Sequence, residues 1–392
     1  MAWFLAMKTK GYTTGPGIYL HVPFCSRKCL YCSFFSRACG AGDTQKYQRA
    51  VKEQIIRLSR LEPWKDLRFS SVFFGGGTPS LLPGEALCEL LGLVRDSFQF
   101  NTSAPEVSIE VNPATIDLQT LCLLRGSGFN RLSIGVQSMH PAELRALGRT
   151  HSAAAARQTL GDAREAGFNN FSVDLMYGLP GQEVSPWRES LEQVLWYGPQ
   201  HLSLYELTVE QGTPMADMVA RGQVLLPDEE TILAMMEQIP ASLAPYGLQR
   251  YEISNYAVPG YECRHNLNYW HNGSYIGLGP SAVSSHHGSR WTTLPDLDTF
   301  LAERIRGVDG WPQLEQLGRE TYFRETVMIG LRMTAGVDIG DLSHRFGLDV
   351  LTYYGPVIHR LQGLGLLRLE GGRLALSRQG MRLADMVMAE FV

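Results

Sequence analysis

"LHVPFCSRKCLYCSFFS", residues 20–36, holds three of the chain's seven cysteines, at positions 25, 29 and 32, between a strand-like "GIYLHV" and an aromatic tail. The rest of the sequence narrows what such a cluster is for. With 392 residues the chain is long enough for more than one packed unit, because single cores stop growing near roughly 250–300 residues. A hydrophobic fraction of 44% and an aromatic fraction of 10% are those of an ordinary globular protein. A net charge of −4 gives no electrostatic reason to expect nucleic acid or an anionic membrane. The opening "MAWFLAMKTKGYTTGPG" lacks the basic leader of a signal peptide, and no apolar run approaches the ~18 residues of a membrane span. The expected compartment is the cytoplasm, where disulfides are rare and clustered cysteines signal metal or redox chemistry.

Three readings of the cluster compete. As buried small hydrophobes, three cysteines within eight residues would be a coincidence. A structural zinc site wants four ligands, usually as two separated pairs, and here only Cys39 or a distant histidine is available to complete the set. An iron–sulfur cluster held by three thiolates is the third reading. Three protein ligands on a four-iron cube leave one iron open to a ligand from outside. The spacing Cys-x3-Cys-x2-Cys directly after a first strand resembles the signature of the radical S-adenosylmethionine proteins, in which that outside ligand is the methionine end of the cofactor.

The remaining chain alternates strand-like and helical patterns. Strands are expected at 17–22, 71–77, 107–112, 132–138, 171–178 and 202–209, and the helices between them include 43–61, 84–99, 152–167 and 185–198. This alternation predicts an α/β fold with a parallel sheet and helices outside it. Six units are two short of a closed barrel, so the expectation is an open, six-unit partial β/α barrel. Chemistry in such barrels collects at the C-terminal strand ends. There the sequence places the cysteine loop, "GGGTPS" at 75–80, Glu110 with Asn112, Gln137, Asp174, and Tyr205 with Glu206. Any one of them is compatible with a satisfied polar residue near a core, but six in register at one rim read as a site. The glycine run is most simply a tight turn. It also lets a ligand approach the backbone without a Cβ in the way.

With these residues in view, the chain resembles the oxygen-independent coproporphyrinogen III oxidase family, whose members include decarboxylases and haem chaperones. The resemblance runs from about Gly17 to the C-terminus. It rests on "YLHVPFCSRKCLYC", "FFGGGTPSLL", "SIEVNP", "GVQS" followed by "ALGRTH", "SVDLMYGLPGQ" and "HNLNYW". It implies a radical-SAM-type barrel in which Cys25, Cys29 and Cys32 ligate a 4Fe-4S cluster. Tyr19, Tyr31, Gly76 and Glu110 would contact the S-adenosylmethionine on that cluster. Gly77, Thr78, Gln137, Arg149 and Asp174 match positions that line a second molecule of this cofactor in the decarboxylases, and Thr208 and Val283 match further contacts.

Two departures from the decarboxylase pattern matter. Phe34 in "CSFF" stands where decarboxylases carry a cysteine, and only eighteen residues precede Tyr19, fewer than in their longer N-terminal arm. "HNLNYW" at 265–270 instead matches a motif of the haem chaperones. The resemblance therefore implies a protein that binds haem and passes it to an acceptor protein, with an electron donor to its cluster, rather than a coproporphyrinogen decarboxylase. The alternatives are an oxygen-independent coproporphyrinogen III decarboxylase or another radical transferase on the same scaffold. His265, with Tyr269 and Trp270 close behind it, is the expected axial ligand to haem iron, with Cys263, His286 and His287 as rivals.

The expected organisation is an N-terminal arm at 1–16, the partial barrel at 17–245, a segment over the barrel mouth at 246–308 carrying "HNLNYW", and a winged-helix-like domain at 309–392. Nine arginines, no lysines and nine acidic residues within 311–392 leave that last domain without the basic footprint of DNA binding. Partners are expected to be haem and proteins, with no nucleic acid and no membrane span.

Overall fold

Six strands alternate between two faces of opposite character. They are β1 (Gly17–Val22), β2 (Ser71–Gly76), β3 (Glu106–Val111), β4 (Arg131–Gln137), β5 (Phe171–Tyr177) and β6 (His201–Glu206). On one face Ile18, Leu20, Val107, Ile109, Leu132 and Ile134 are fully buried. Their immediate neighbours are Tyr19, Ser108, Glu110 and Ser133, which turn to the other face. The computed structural model describes residues 15–300 and 313–392. All but the last two residues of the expected N-terminal arm, and the expected boundary near residue 308, lie outside the described residues.

Neighbouring strands from β1 to β6 pair in parallel, in chain order. Helices α1 (Asp43–Leu58), α2 (Gly84–Ser97), α3 (Leu118–Ser127), α4 (Ala153–Glu165) and α5 (Val184–Leu195) link them. The starts of α3 and α4 are fixed by Asp117 and Ser152, whose side chains accept from the N–H groups of Thr120 and Ala155. Tyr47 and Val51 of α1, Leu87 and Leu91 of α2, Leu160 of α4 and Trp187 of α5 join the outward strand residues in one apolar cluster. Each such side chain contributes about 1.5–3 kcal/mol on burial. The core thus lies between sheet and helices, and the inner face is left polar. A closed barrel packs its interior with branched apolar side chains; this open one keeps its interior for ligands.

The segment expected over the barrel mouth lies elsewhere, because its backbone completes the sheet. β7 (Asn255–Ala257) adds antiparallel to β6, and β8 (Tyr275–Leu278) adds parallel to the opposite edge strand β1, with Tyr19 opposite Gly277. Both edges of the parallel sheet find partners for their N–H and C=O groups in this way. Between them, "HNLNYW" forms most of α7 (Arg264–Trp270), packed beneath the N-terminal ends of the strands. Glu106, the first residue of β3, accepts from the backbone N–H groups of Arg264 and His265 at 3.0 and 3.1 Å.

This placement corrects the expectation that His265 ligates haem iron. The ring is 1% exposed, Nδ1 lies 2.9 Å from Ser71 Oγ at the start of β2, and Nε2 lies 3.1 Å from the Tyr269 hydroxyl. Both nitrogens are engaged, the ring stacks on Phe73 at 5.1 Å, and the cysteine loop is at the other end of the strands. Burial, with the Arg131 charge adding to it, pushes the imidazole down to about 3, so it stays neutral. Of the rivals, Cys263 is buried against Glu106, and His286 Nδ1 pairs with Ser274 Oγ at 2.9 Å.

The C-terminal unit has its own core around Phe323, Val327, Phe346 and Leu374. It is built from α8 (Arg319–Gly330), α9 (Ile339–Phe346), α10 (Gly355–Gly363) and the hairpin β10 (Leu367–Glu370) with β11 (Arg373–Leu376). This is the winged-helix-like arrangement expected from the sequence. It meets the barrel through α7: Tyr322 donates to the Asn272 carbonyl at 3.1 Å, and the Arg332 guanidinium lies 4.5 Å from the Trp270 ring.

A His265→Ala variant removes a packed ring and strips Ser71 and Tyr269 of a shared partner. It should lose about 2–4 kcal/mol of unfolding free energy in urea titration. Wild-type stability in that variant would contradict the packing role.

Candidate cofactor site

Cys25, Cys29 and Cys32 lie on the loop that leaves the C-terminal end of β1. They are free thiols, part-exposed, and line one cavity of about 360 Å³. Backbone bonds from Gly77 to the Val22 carbonyl (2.8 Å) and from Thr78 to the Phe24 carbonyl (2.7 Å) fasten this loop to the glycine turn after β2. The glycines are required there. A Cβ on Gly77 would sit 2.5 Å from the Phe24 carbonyl oxygen, and one on Gly76, at φ +114°, would sit 2.6 Å from the His21 ring.

A polar chain then ties two of the thiols to the strand ends. Arg149 donates to Asn112 Oδ1 at 2.6 Å and to the Gly135 carbonyl at 2.7 Å, and its other terminal nitrogen lies 3.6 Å from Cys29 Sγ. Asn112 Nδ2 donates to Thr78 Oγ1 at 2.8 Å, and the Thr78 hydroxyl points at Cys25 Sγ at 3.7 Å. Midway along the loop, Leu30 is held by backbone bonds with Leu147 and Met215. Burial pushes the Cys32 thiol up, and the nearby sulfurs of Cys29 and Cys25 push the same way.

Three thiols on one loop at the cavity suit the three protein corners of a four-iron cluster, with one iron left for a ligand from outside. Cys39, the thiol that a zinc reading would need as a fourth ligand, is exposed, points at the Gly40 carbonyl and does not line the cavity.

Two carboxyl groups form the floor. Glu110 accepts from the Gly76 N–H at 3.1 Å. Burial, with the charge of Asp174 adding to it, pushes its carboxyl up to about 8. Asp174 accepts from the hydroxyls of Ser133 (3.1 and 3.2 Å) and Ser172 (3.2 Å). Burial raises it too, but these serines, Ser203 and the Arg131 charge oppose the rise. Such a floor can accept from an ammonium group or from ribose hydroxyls.

Most residues that the resemblance assigns to cofactors meet at this cavity. Tyr31, Gly76, Gly77, Thr78 and Gln137 line it with the cysteines, Glu110, Arg149 and Asp174. Gln137 adopts φ +66° where β4 breaks register with β5, which turns its side chain to the rim. Tyr19 lies next to this lining, its ring stacked on Phe73 and its hydroxyl 3.0 Å from His21 Nδ1. Thr208 and Val283 are corrections: Thr208 is exposed beyond the end of β6, and Val283 opens β9 (Val283–His286) opposite Thr292, so neither lines the cavity. Tyr205, expected at the rim from the sequence, lines it too, as do Ser133 and Met176, which sequence reasoning did not single out. The signal was available, since each of the last two is two residues from another inward residue (Gly135 and Asp174) on its own strand.

Glu110 generates a pH test. A carboxyl held protonated more tightly in the folded chain adds stability below its ordinary 4.5 and loses that contribution as pH rises through about 8. Glu110→Gln cannot ionise. In the cofactor-free protein it should gain stability relative to wild type as pH rises from about 4.5 to about 8, and keep that gain above it, measured by thermal melting. Parallel curves across that range would contradict the assignment.

Comparison with known proteins agrees with this geometry. The model of the radical SAM superfamily matches residues 19–194, and that of the HemN C-terminal domain matches residues 317–383. Haem chaperone HemW of Mycobacterium tuberculosis is 35% identical over 95% of this chain and 93% of its own. HemW of Escherichia coli is 37% identical over 76% of this chain and 75% of its own. The mouse mitochondrial radical S-adenosyl methionine domain-containing protein 1 is 35% identical over 83% of this chain and 75% of its own. Among solved structures, coproporphyrinogen III oxidase (HemN) from Escherichia coli, a radical SAM enzyme, aligns over 97% of this chain and 91% of that one, with a TM-score of 0.82 at 24% identity, a likeness of fold. The identity to HemW proteins over nearly the whole chain places it in the HemW family of radical S-adenosylmethionine proteins.

Proposed function

We propose that this protein is a haem chaperone, binding haem and passing it to an acceptor protein. The observation that carries the reading is the similarity, over 95% of the chain, to proteins named haem chaperone HemW. Phe34 supports it: this exposed side chain lines the cavity at the position where the sequence pattern of decarboxylases has a cysteine. In this reading Cys25, Cys29 and Cys32 hold a 4Fe-4S cluster, and an electron donor protein reduces it. Tyr31, Gly76 and Glu110, with Tyr19 beside them, hold S-adenosylmethionine against the open iron. Gly77, Thr78, Gln137, Arg149 and Asp174 are available to a second molecule of that cofactor. The protein works in the cytoplasm, where its thiols stay reduced. Among the described residues no helix is long and apolar enough to cross a membrane.

The test is a comparison of two substrates. Anaerobically reconstituted protein receives dithionite and S-adenosylmethionine, together with either coproporphyrinogen III or haem. The expected outcome is a saturable haem absorption spectrum and no decarboxylated porphyrin. Turnover of coproporphyrinogen III would replace the chaperone reading with the decarboxylase one.

A further inference from the structure

Arg149 brings a fixed positive charge to the cysteine loop. It follows Gly148, which at φ +69° turns the chain back so that the Arg149 N–H reaches the Leu144 carbonyl at 2.9 Å. The carbonyl two residues earlier, that of Leu147, takes the N–H of Leu30, the residue after Cys29. One turn therefore grips the loop twice, by the backbone at Leu30 and by the guanidinium at the Cys29 sulfur, 3.6 Å away. The second terminal nitrogen, Nη2, is occupied by Asn112 Oδ1 and the Gly135 carbonyl, so the guanidinium has little freedom to point elsewhere.

This charge has no partner of opposite sign in the chain. Among the described residues no carboxylate lies within ion-pair distance of Arg149. On the cavity floor, the charge that acts on Glu110 is that of Asp174, and the charge that acts on Asp174 is that of Arg131. A guanidinium cannot shed its proton to escape such a position, and a cation drawn from water without a counter-charge is costly. The other two sulfurs have neutral donors. The Thr78 hydroxyl points at Cys25 Sγ at 3.7 Å, and Cys32 receives a backbone N–H at Phe34. Three thiolates give a four-iron cluster a net negative charge, which grows on reduction. A cluster on Cys29 supplies the anion that Arg149 lacks.

We propose that Arg149 is the counter-charge of the cluster, donating to the Cys29 sulfur and stabilising the reduced state. The proposal rests on the reading of Cys25, Cys29 and Cys32 as ligands of a four-iron cluster. Charge and hydrogen bonds at the sulfurs help set a cluster's reduction potential. Arg149 thus makes the cluster easier to reduce, and Asn112 acts through it by aiming the guanidinium.

The test is a redox titration of the reconstituted protein without S-adenosylmethionine, following the electron paramagnetic resonance signal of the reduced cluster. Arg149→Gln removes the charge, and Asn112→Asp keeps the guanidinium but sets a carboxylate against it. Arg149→Lys keeps a charge without the planar fork. Arg382→Gln is the control: it removes an equal charge from a residue that pairs with Glu237 of helix α6 (Glu229–Leu243) and does not line the cavity. In Arg149→Gln and Asn112→Asp, reduction should become about tenfold less favourable, about 59 mV for one electron, at unchanged iron content. Arg149→Lys should fall between them and the wild type, and the control should match the wild type. If Arg149→Gln fails to hold iron, Asn112→Asp decides, and a wild-type potential there would overturn the proposal. A wild-type potential in Arg149→Gln, with weakened S-adenosylmethionine binding, would make Arg149 a cofactor contact and overturn it as well. Failure of the wild-type protein to take up a four-iron cluster would instead remove the reading beneath it.

Discussion

Each barrel strand has one face to bury and one to keep polar, and the rest of the molecule follows from that division. Val107, Ile109 and Val111 go outward to the helices, while Glu106, Ser108 and Glu110 from the same strand go inward. Polar groups taken out of water must find partners or cost several kcal/mol. The lower half of the interior meets most of this demand from within the chain, although Ser108 Oγ and Arg131 Nε are buried without a hydrogen-bond partner. Glu106 takes the first N–H groups of α7, Ser71 and Tyr269 take His265, and His201 lies 2.8 Å from both Ser172 Oγ and the Tyr251 hydroxyl. Arg131, 2% exposed, sits in the field of Glu106, Cys263, Tyr251 and Asp174. Helix α7 is therefore a plug that satisfies a polar floor. "HNLNYW" has the composition this task requires.

The upper half has fewer partners from within and is left open to ligands. Glu110 has the Gly76 N–H as a partner, but burial and then the charge of Asp174 outweigh it and hold its proton tightly. Above it, a loop of eight residues carries three thiols that would wander if tied only at its ends. Arg149, Asn112 and Thr78 connect that loop to the ends of three different strands. The spacing of the sulfurs is thus set by the rigid sheet and not by the loop itself. A loop held in this way reaches a ligand in a fixed geometry, which lowers the conformational cost of binding.

Much of this was legible in the sequence, and what was not has a physical reason. The six strands were readable from local periodicity, and the cysteine rim from three thiols placed directly after the first of them. Which cofactor groups meet Tyr31, Gln137 or Arg149 came from family resemblance alone. The sheet edges were not readable: Tyr275–Leu278 joins β1 from the far end of the chain, and such pairing leaves no local pattern. For the same reason the segment after residue 246 looked like a cover for the mouth. His265 misled because an imidazole beside Tyr269 and Trp270 suits an iron ligand and a packed plug equally well. Burial and hydrogen bonding decide between the two, and neither is written in the motif. Leu118, Leu121, Leu123 and Leu124 spread around α3 and form no single stripe, so that helix carried little periodic signal.

The central claim is that three thiols on a loop fastened to the strand ends leave one iron of a four-iron cluster free for S-adenosylmethionine. The most direct measurement is the electron paramagnetic resonance spectrum of the dithionite-reduced protein, recorded before and after adding S-adenosylmethionine. The account predicts about four irons per chain, and a cluster signal that shifts when the cofactor is added, in the wild type and in Cys39→Ala alike. A signal indifferent to S-adenosylmethionine, together with loss of iron in Cys39→Ala, would mean a closed four-thiolate site and would contradict it.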